Sequence, residues 1–463
     1  MESGGHAEAK MDSEPTVATG DTAESRDTND GEMELDLDDE AEREIDGYIM
    51  QDKPDPTDTT VTHDCRAYEF YPQVAAIHPS DVHSLAATRN MKWLFTASHD
   101  GEIRMFDYFA SMNGRNPLPQ NQRTGFSDPV TKAGVLWSTW PLEEQVNPGE
   151  TSDPLSHPIK ISPCYAIDVH SEAHYLLAGC ASGAVNVYSV RHDEGACQYV
   201  LRGHKAPVAC IKIAPGETTC FTGSWDKTLY SWDLNTGNAL SSFSPHTSYL
   251  TSLSFQPGAT TPRLLSTTAD GLMYLWDTRA TSAEPSSPAE GPNPRGLVRR
   301  FAVPEKTPPW CMSACWSPDG GKVYVGRRGG TVDEFDVAEG TRVRAIEMPR
   351  GSGRVTAVEA MGNGRQILCA SQDNIRLYDL YDDDNPSSPA PYVAPASEPD
   401  PLLNPPKVPF IIVPGHRGGA PVSKLLLDSA NRYMVTATGN RGWDGMGVGG
   451  GMVVMYEVDQ SKR

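Results

Sequence analysis

The sequence predicts an all-β fold, a seven-bladed β-propeller preceded by a disordered acidic tail, and three observations carry that expectation. A strand that closes on an aromatic residue, usually followed by an acid, recurs seven times along the chain. The 41 Gly and 38 Pro in 463 residues favour short strands and many turns over long helices. Charge is segregated, because residues 1–60 hold 20 Asp and Glu against 4 Lys and Arg, leaving little of the net −22 for the rest.

The tail, residues 1–64, is expected to be disordered, since acids dominate it and its apolar content is too low to bury a core. Its most patterned stretch, EMELDLDDEAEREIDGYIM (32–50), places Asp36, Asp38 and Asp39 among apolar residues. Leu37, Ala41, Ile45, Tyr48 and Ile49 would share one face of a helix formed on a basic partner. A solvated segment that only aids solubility is the plainer alternative. The opening MESGGHAEAK has neither a basic n-region nor an apolar h-region, and no later run is long enough to span a bilayer, so a soluble intracellular chain is expected. The acidic balance argues against gripping nucleic acid through the overall field, which needs clustered positive charge.

From residue 65 onward the repeat takes over. Its closing strands read IRMFD at Phe106, VNVYS at Tyr188, LYSWD at Trp232, MYLWD at Trp276, VDEFD at Phe335, IRLYD at Tyr378 and VVMYE at Tyr456. The intervals between these aromatics are 82, 44, 44, 59, 43 and 78 residues. A four-stranded blade takes about 40 to 45 residues, so three intervals are bare blades and three carry insertions. The insertions are expected as loops at 113–163, 280–296 and 382–407, which are rich in Pro, Ser and Asn. After the last strand only a few residues remain, so the seventh blade lacks a fourth strand of its own. The alternating segment AYEFYPQVAAI (67–77) precedes the first blade, and pairing it into the last would remove an exposed edge.

The third copy is the clearest, with Gly203 and His204, an apolar strand from Val208 to Ile213, and then CFTGSWDKTLYSWD. In WD repeats, which this unit resembles, the His of the GH pair, a strand hydroxyl, a turn Asp and the closing Trp form a buried hydrogen-bonded chain. Those residues would be His204, Thr222, Asp226 and Trp232, and in the fourth copy His246, Ser266, Asp270 and Trp276. Such a network is costly when half-satisfied and rigidifying when complete, so its members are expected to be structural. The nine cysteines form no CxxC pair and no CxxC…HxxxH spacing, and several lie in apolar strands as small buried side chains, so neither a metal site nor a cofactor is expected. The glycine run GMGVGGG (445–451) lacks the Lys and hydroxyl of a phosphate loop. With no nucleophile elbow and no HExxH, the chain is expected not to be an enzyme.

Several stretches are more particular than a generic repeat. They are MKWLFTASHDGEIRMFDYFASMNGR (91–115), VTKAGVLWSTW (130–140), GAVNVYSVRHDEG (183–195), YVGRRGGTVDEFD (324–336) and TGNRGWDG (438–445). In these the chain resembles the Spt-eight family of WD-repeat subunits of the fungal SAGA transcription coactivator. The resemblance implies a nuclear, non-enzymatic subunit that binds TATA-box-binding protein, alongside other SAGA subunits, and regulates its delivery to promoters in RNA polymerase II transcription.

Three groups are candidate protein-binding residues: the tail positions Asp36, Leu37, Asp38, Asp39 and Ile45; the Arg327–Arg328 pair in a hairpin turn; and Arg441 with Trp443 in NRGWDG. Paired guanidinium groups suit carboxylates or phosphates, and an exposed tryptophan suits an interface anchor. Two other functional readings are kept open. Trp276, Asp277 and Arg279 fit the WDxR ending of substrate receptors of cullin ubiquitin ligases, although Thr278 stands where an apolar residue is usual. A propeller that reads histone tails or phosphopeptides through its central channel is the other.

Overall fold

The computed structural model describes residues 65–119, 130–145, 159–243, 245–281, 296–303, 309–382, 385–389, 408–416, 421–439 and 451–461. Seven antiparallel sheets, the blades, follow one another along the chain. The innermost strands are Val82–Ala87, Ala166–Val169, Val208–Ile213, Leu250–Phe255, Cys311–Trp316, Val355–Ala360 and Val422–Leu427. These strands touch one another in cyclic order, and that of blade 7 meets that of blade 1. The ring is therefore closed.

Closure depends on Ala67–Ile77, which pairs antiparallel with Met452–Ser461 and so supplies the fourth strand of blade 7. Its alternation explains the fit. Tyr68, Phe70 and Val74 are buried in the sheet, while Ala67, Glu69 and Tyr71 face water. The short helix Tyr108–Asn113 seals the same seam from blade 1. Asp107 caps it by accepting from the Ala110 N–H at 2.8 Å, and the buried Tyr108 hydroxyl donates to the Tyr456 carbonyl at 2.8 Å.

Inner and second strands pair with the same register shift at the second residue of the inner strand in six blades, as between Val208 and Cys210 or Val355 and Ala357. Blades 1, 5, 6 and 7, which lack a WD ending, thus keep the register of those that have one, whereas blade 2 pairs without the shift. Adjacent blades meet through small residues. A Cβ on Gly326 of blade 5 would lie 2.8 Å from Val355 of blade 6, so glycine there lets the neighbouring strand approach. At Gly271, with φ +87°, the turn needs the left-handed region and a side chain would also meet the Pro309 carbonyl of the next blade.

Two of the expected insertions contain more than loop. Within 113–163, Val135–Pro141 is the outer strand of blade 1, and Lys132–Ala133 adds in parallel to the closing strand at Val74–Ala75. Glu143–Gln145 also pairs with Ile159–Ile161. The polar composition of the surroundings hid an alternating VLWSTWP whose partner, Glu102–Asp107, lies across a helix. Within 382–407, residues Asn385–Pro389 pair with Tyr381–Asp382, and the outer strand of blade 6 follows at Phe410–Val413. The third expected loop, 280–296, lies mostly outside the described residues, as does the tail.

Candidate interaction surfaces

A propeller offers partners its loops, and its blades must first hold those loops still. In blade 3 the Thr222 hydroxyl receives the Trp232 Nε1–H at 2.8 Å and lies 2.8 Å from His204 Nε2. His204 Nδ1 reaches Thr228 Oγ1 at 2.8 Å and Asp226 at 3.3 Å. Asp226 also accepts the backbone N–H of Lys205 and Thr228. A neutral imidazole with its proton on Nδ1 satisfies the whole chain. Those bonds hold the Asp226 carboxyl well below its ordinary range despite its partial burial. In blade 4 the Ser266 hydroxyl sits 3.0 Å from His246 Nε2 and accepts from Trp276 Nε1 at 2.9 Å. There the fourth member differs from expectation. Asp270 is bonded to the hydroxyls of Thr247 and Thr268 rather than to His246, because two nearby threonines compete for its oxygens.

Two further blades carry the same His–hydroxyl pair: His78 with Thr96 at 2.9 Å in blade 1, and His416 with Thr436 in blade 7. The separations of 18 and 20 residues match those in blades 3 and 4, so spacing alone contained this signal where the WD ending did not. Blades 1 and 6 share a second device, legible in IRMFD and IRLYD. Arg104 reaches the turn residue Asp100 at 2.7 Å, and Arg376 reaches Asp373 at 2.6 Å. Each arginine also donates to a strand serine at 3.0 Å.

Burial pulls the His78 and His246 rings down to about 4. The unfolded chain, whose imidazoles titrate near 6.5, therefore binds more protons between those values. Stability should fall as pH drops through that window, by about 1 kcal/mol per ring between pH 7.5 and 5.5. Denaturant melts at the two pH values check this, and His78→Gln should flatten the dependence.

The Arg327–Arg328 pair does not form a surface clamp. Arg327 is 0% exposed at the end of strand Lys322–Arg327, bonded to Asp333 at 2.9 Å and to the carbonyls of Pro309 and Gly271 at 2.7 and 3.2 Å. Alternation explains the difference, since neighbouring residues at a strand end point to opposite sides. Asp333 is itself buried and draws a second guanidinium, Arg342, to 3.1 Å. Arg328 does face solvent and lies over the Trp310 ring at 4.2 Å. Arg279 pairs with Asp277 at 3.0 Å at the exposed end of the blade 4 strand, while Trp276 is buried. Arg441 and Trp443 lie outside the described residues, as do Asp36, Leu37, Asp38, Asp39 and Ile45.

Two recesses open among these elements. The central channel, about 830 Å³, is walled by the inner strands and carries both signs of charge, with Lys212, Lys424, Asp168 and Glu359. A second recess of about 770 Å³ lies between blades 5 and 6, where the turn 328–330 faces the loop 348–354. Its arginines Arg350 and Arg354 escaped the sequence reading, although the Arg-Gly pattern of PRGSGR repeats that of RRGG. Among the described residues, no group of three or more His, Cys, Asp and Glu could hold a metal ion, and no helix is long and apolar enough to cross a membrane. None of the nine cysteines forms a disulfide; eight are buried, and Cys197 is exposed.

Three of the stretches that carry the family resemblance lie at two seams, while 324–336 belongs to the second and third strands of blade 5. DYFASMNG forms the helix between blades 1 and 7. VLWSTW and VRHDEG meet each other, with Trp137 Nε1 donating to Glu194 at 3.0 Å. Gly195, at φ +77°, lies so close to Trp140 that a Cβ would be 2.7 Å from the indole.

A family model described as the SPT8 β-propeller matches residues 68–270 and 263–459. The chain is 33% identical to the SAGA complex subunit Spt8 of Schizosaccharomyces pombe over 441 residues, covering 82% of this chain and 77% of that protein. It is 29% identical to the SAGA complex subunit SPT8 of Saccharomyces cerevisiae over 469 residues, covering 85% and 73%. The human angio-associated migratory cell protein is 27% identical over 186 residues, only 40% of this chain.

Proposed function

Because the chain belongs to the SPT8 β-propeller family, we propose that it is a non-enzymatic, nuclear scaffold subunit of a SAGA-type transcription coactivator. The observation that carries this reading is the reach of the similarity. Likeness to the two yeast subunits extends over four fifths of the chain, whereas the human protein aligns with less than half. Fold alone would not support the assignment, since propellers host many functions. Affinity isolation of the tagged chain from nuclear extract tests it. Subunits of an acetyltransferase coactivator are expected, and recovery of a ubiquitin-ligase adaptor instead would sink it.

The finer role we propose is to hold TATA-box-binding protein and regulate its delivery to promoters, with the acidic tail assisting. A protein surface that binds DNA is basic with apolar patches, and the tail interleaves carboxylates with Leu37, Ile45 and Tyr48. DNA and tail then compete for one surface. Exposed charge pairs are screened by salt, while apolar contacts persist. TATA-box-binding protein is expected to bind the full chain more tightly than a shortened chain starting at Thr62 at low ionic strength. That difference should shrink at moderate salt or with promoter DNA added. Equal affinities at low salt would remove the tail's role, and no binding by either chain would remove the partner.

A further inference from the structure

An outer strand turns one row of backbone N–H and C=O groups away from its blade, and natural sheets blunt such rows with bulges, prolines or covering segments. Six blades use a bulge. An extra residue on the outer strand shifts its pairing at Trp137 in blade 1, Gln198 in blade 2, Leu240 in blade 3, Val298 in blade 4, Val343 in blade 5 and Gln73 in blade 7. Blade 6 departs from this pattern, since its outer strand Phe410–Val413 pairs with strand Ile375–Asp379 without a shift. A bulge twists a strand and breaks its ladder, so this edge is left flat and regular.

One bond fixes which groups of that edge point outward. The Asp379 N–H donates to the Pro409 carbonyl at 3.1 Å. Inward bonding alternates along an antiparallel pair, so Ile411 and Val413 also turn their N–H and C=O into the blade, and Phe410 and Ile412 turn theirs outward. The side chains here are large and apolar: Phe410 is 40% exposed, and Ile411 and Ile412 are 54% exposed each. In blades 3, 4 and 5 the outer strand exposes one large apolar side chain, the bulge residue itself. The blade 6 strand is nevertheless well anchored, because Phe410 packs on the Tyr378 ring at 5.2 Å and Val413 is buried.

We propose that this edge receives an extended segment of a partner protein as a fifth strand of blade 6, with β-branched aliphatic side chains of that segment lying on Phe410, Ile411 and Ile412. The N–H and C=O groups of Phe410 and Ile412 supply the backbone bonds, and the apolar side chains supply contact area. The backbone row selects a strand, because a helix spends its own N–H and C=O groups internally. A second copy of this chain fits poorly. The three apolar side chains fall short of the roughly 600 Å² per partner that a stable dimer buries, and each copy brings a net charge of −22. The site depends on neither the tail nor the SAGA assignment.

Fluorescence anisotropy on the full chain tests this with a fluorescein-labelled heptapeptide, KTVIVTK. The same peptide N-methylated at its three central residues keeps charge and side chains but loses donors. The plain peptide is expected to bind, and the methylated one at least tenfold more weakly. Ile412→Pro deletes an outward N–H and leaves the inward bonds in place, so it should lose at least tenfold in affinity with an unchanged melting curve. Ile411→Lys/Ile412→Lys keeps every backbone bond of the blade and should lose as much by charging the edge. Val298→Lys, on the bulged edge of blade 4, should bind as the unaltered chain does. No binding of the plain peptide, equal binding of the methylated one, or unchanged affinity in the double-lysine variant overturns the proposal. So does a dimer in sedimentation velocity that Ile412→Pro dissociates, and so does binding to phosphatidylcholine vesicles that the double-lysine variant abolishes.

Discussion

Deleting Ala67–Ile77 should leave a chain that aggregates or melts far below the intact protein. The segment closes the ring by pairing along its whole length with Met452–Ser461. Its removal would uncover the edge of that strand and the apolar faces that cover Tyr68, Phe70 and Val74. Burial of each such side chain contributes about 1.5 to 3 kcal/mol, so the loss is comparable to the whole stability of a typical domain. An open sheet edge of this length also templates association. The point substitution Val74→Asp separates closure from mere truncation. It puts a carboxylate at a position that is 0% exposed and packed near Val453 and Met455, and should lower the melting temperature by about 10 °C. A melting curve unaffected by either change would refute closure through this strand.

Arg327→Met should cost about 3 to 5 kcal/mol, because it strands the buried Asp333 carboxylate with Arg342 alone and removes donors from two carbonyls. Replacing both members, Arg327→Met with Asp333→Leu, should restore much of the loss, since an apolar pair of similar volume avoids the desolvation of two ions. The adjacent Arg328→Met should change stability by under about 1 kcal/mol, as expected for an exposed cation stacked on an exposed ring. Urea melts of the four chains measure all three effects. A loss below 1 kcal/mol in Arg327→Met would show that the ion pair does not hold the blade 5 hairpin.

What the sequence by itself determined was the repeat and its closure. Periodic aromatics at Phe106 through Tyr456, and an alternating segment with no partner nearby, specified seven blades and the strand that locks them, because strand alternation and blade length are local properties. The His204–Thr222–Trp232 chain was legible for the same reason: its members lie within one blade, at separations set by strand length. Only the tertiary structure decided how neighbouring residues divide between interior and surface, and which distant segments meet. Nothing local separates Arg327, buried against Asp333, from Arg328, exposed on Trp310; the pleat direction and the approach of Pro309 from the preceding loop decide it. The outer strand Val135–Pro141 was hidden inside a polar insertion because its pairing partner is reached across a helix. The cleft of Arg328, Arg350 and Arg354 exists only where two blades are set side by side, since residues 20 or more apart become neighbours through packing between sheets, a property no single blade's sequence contains.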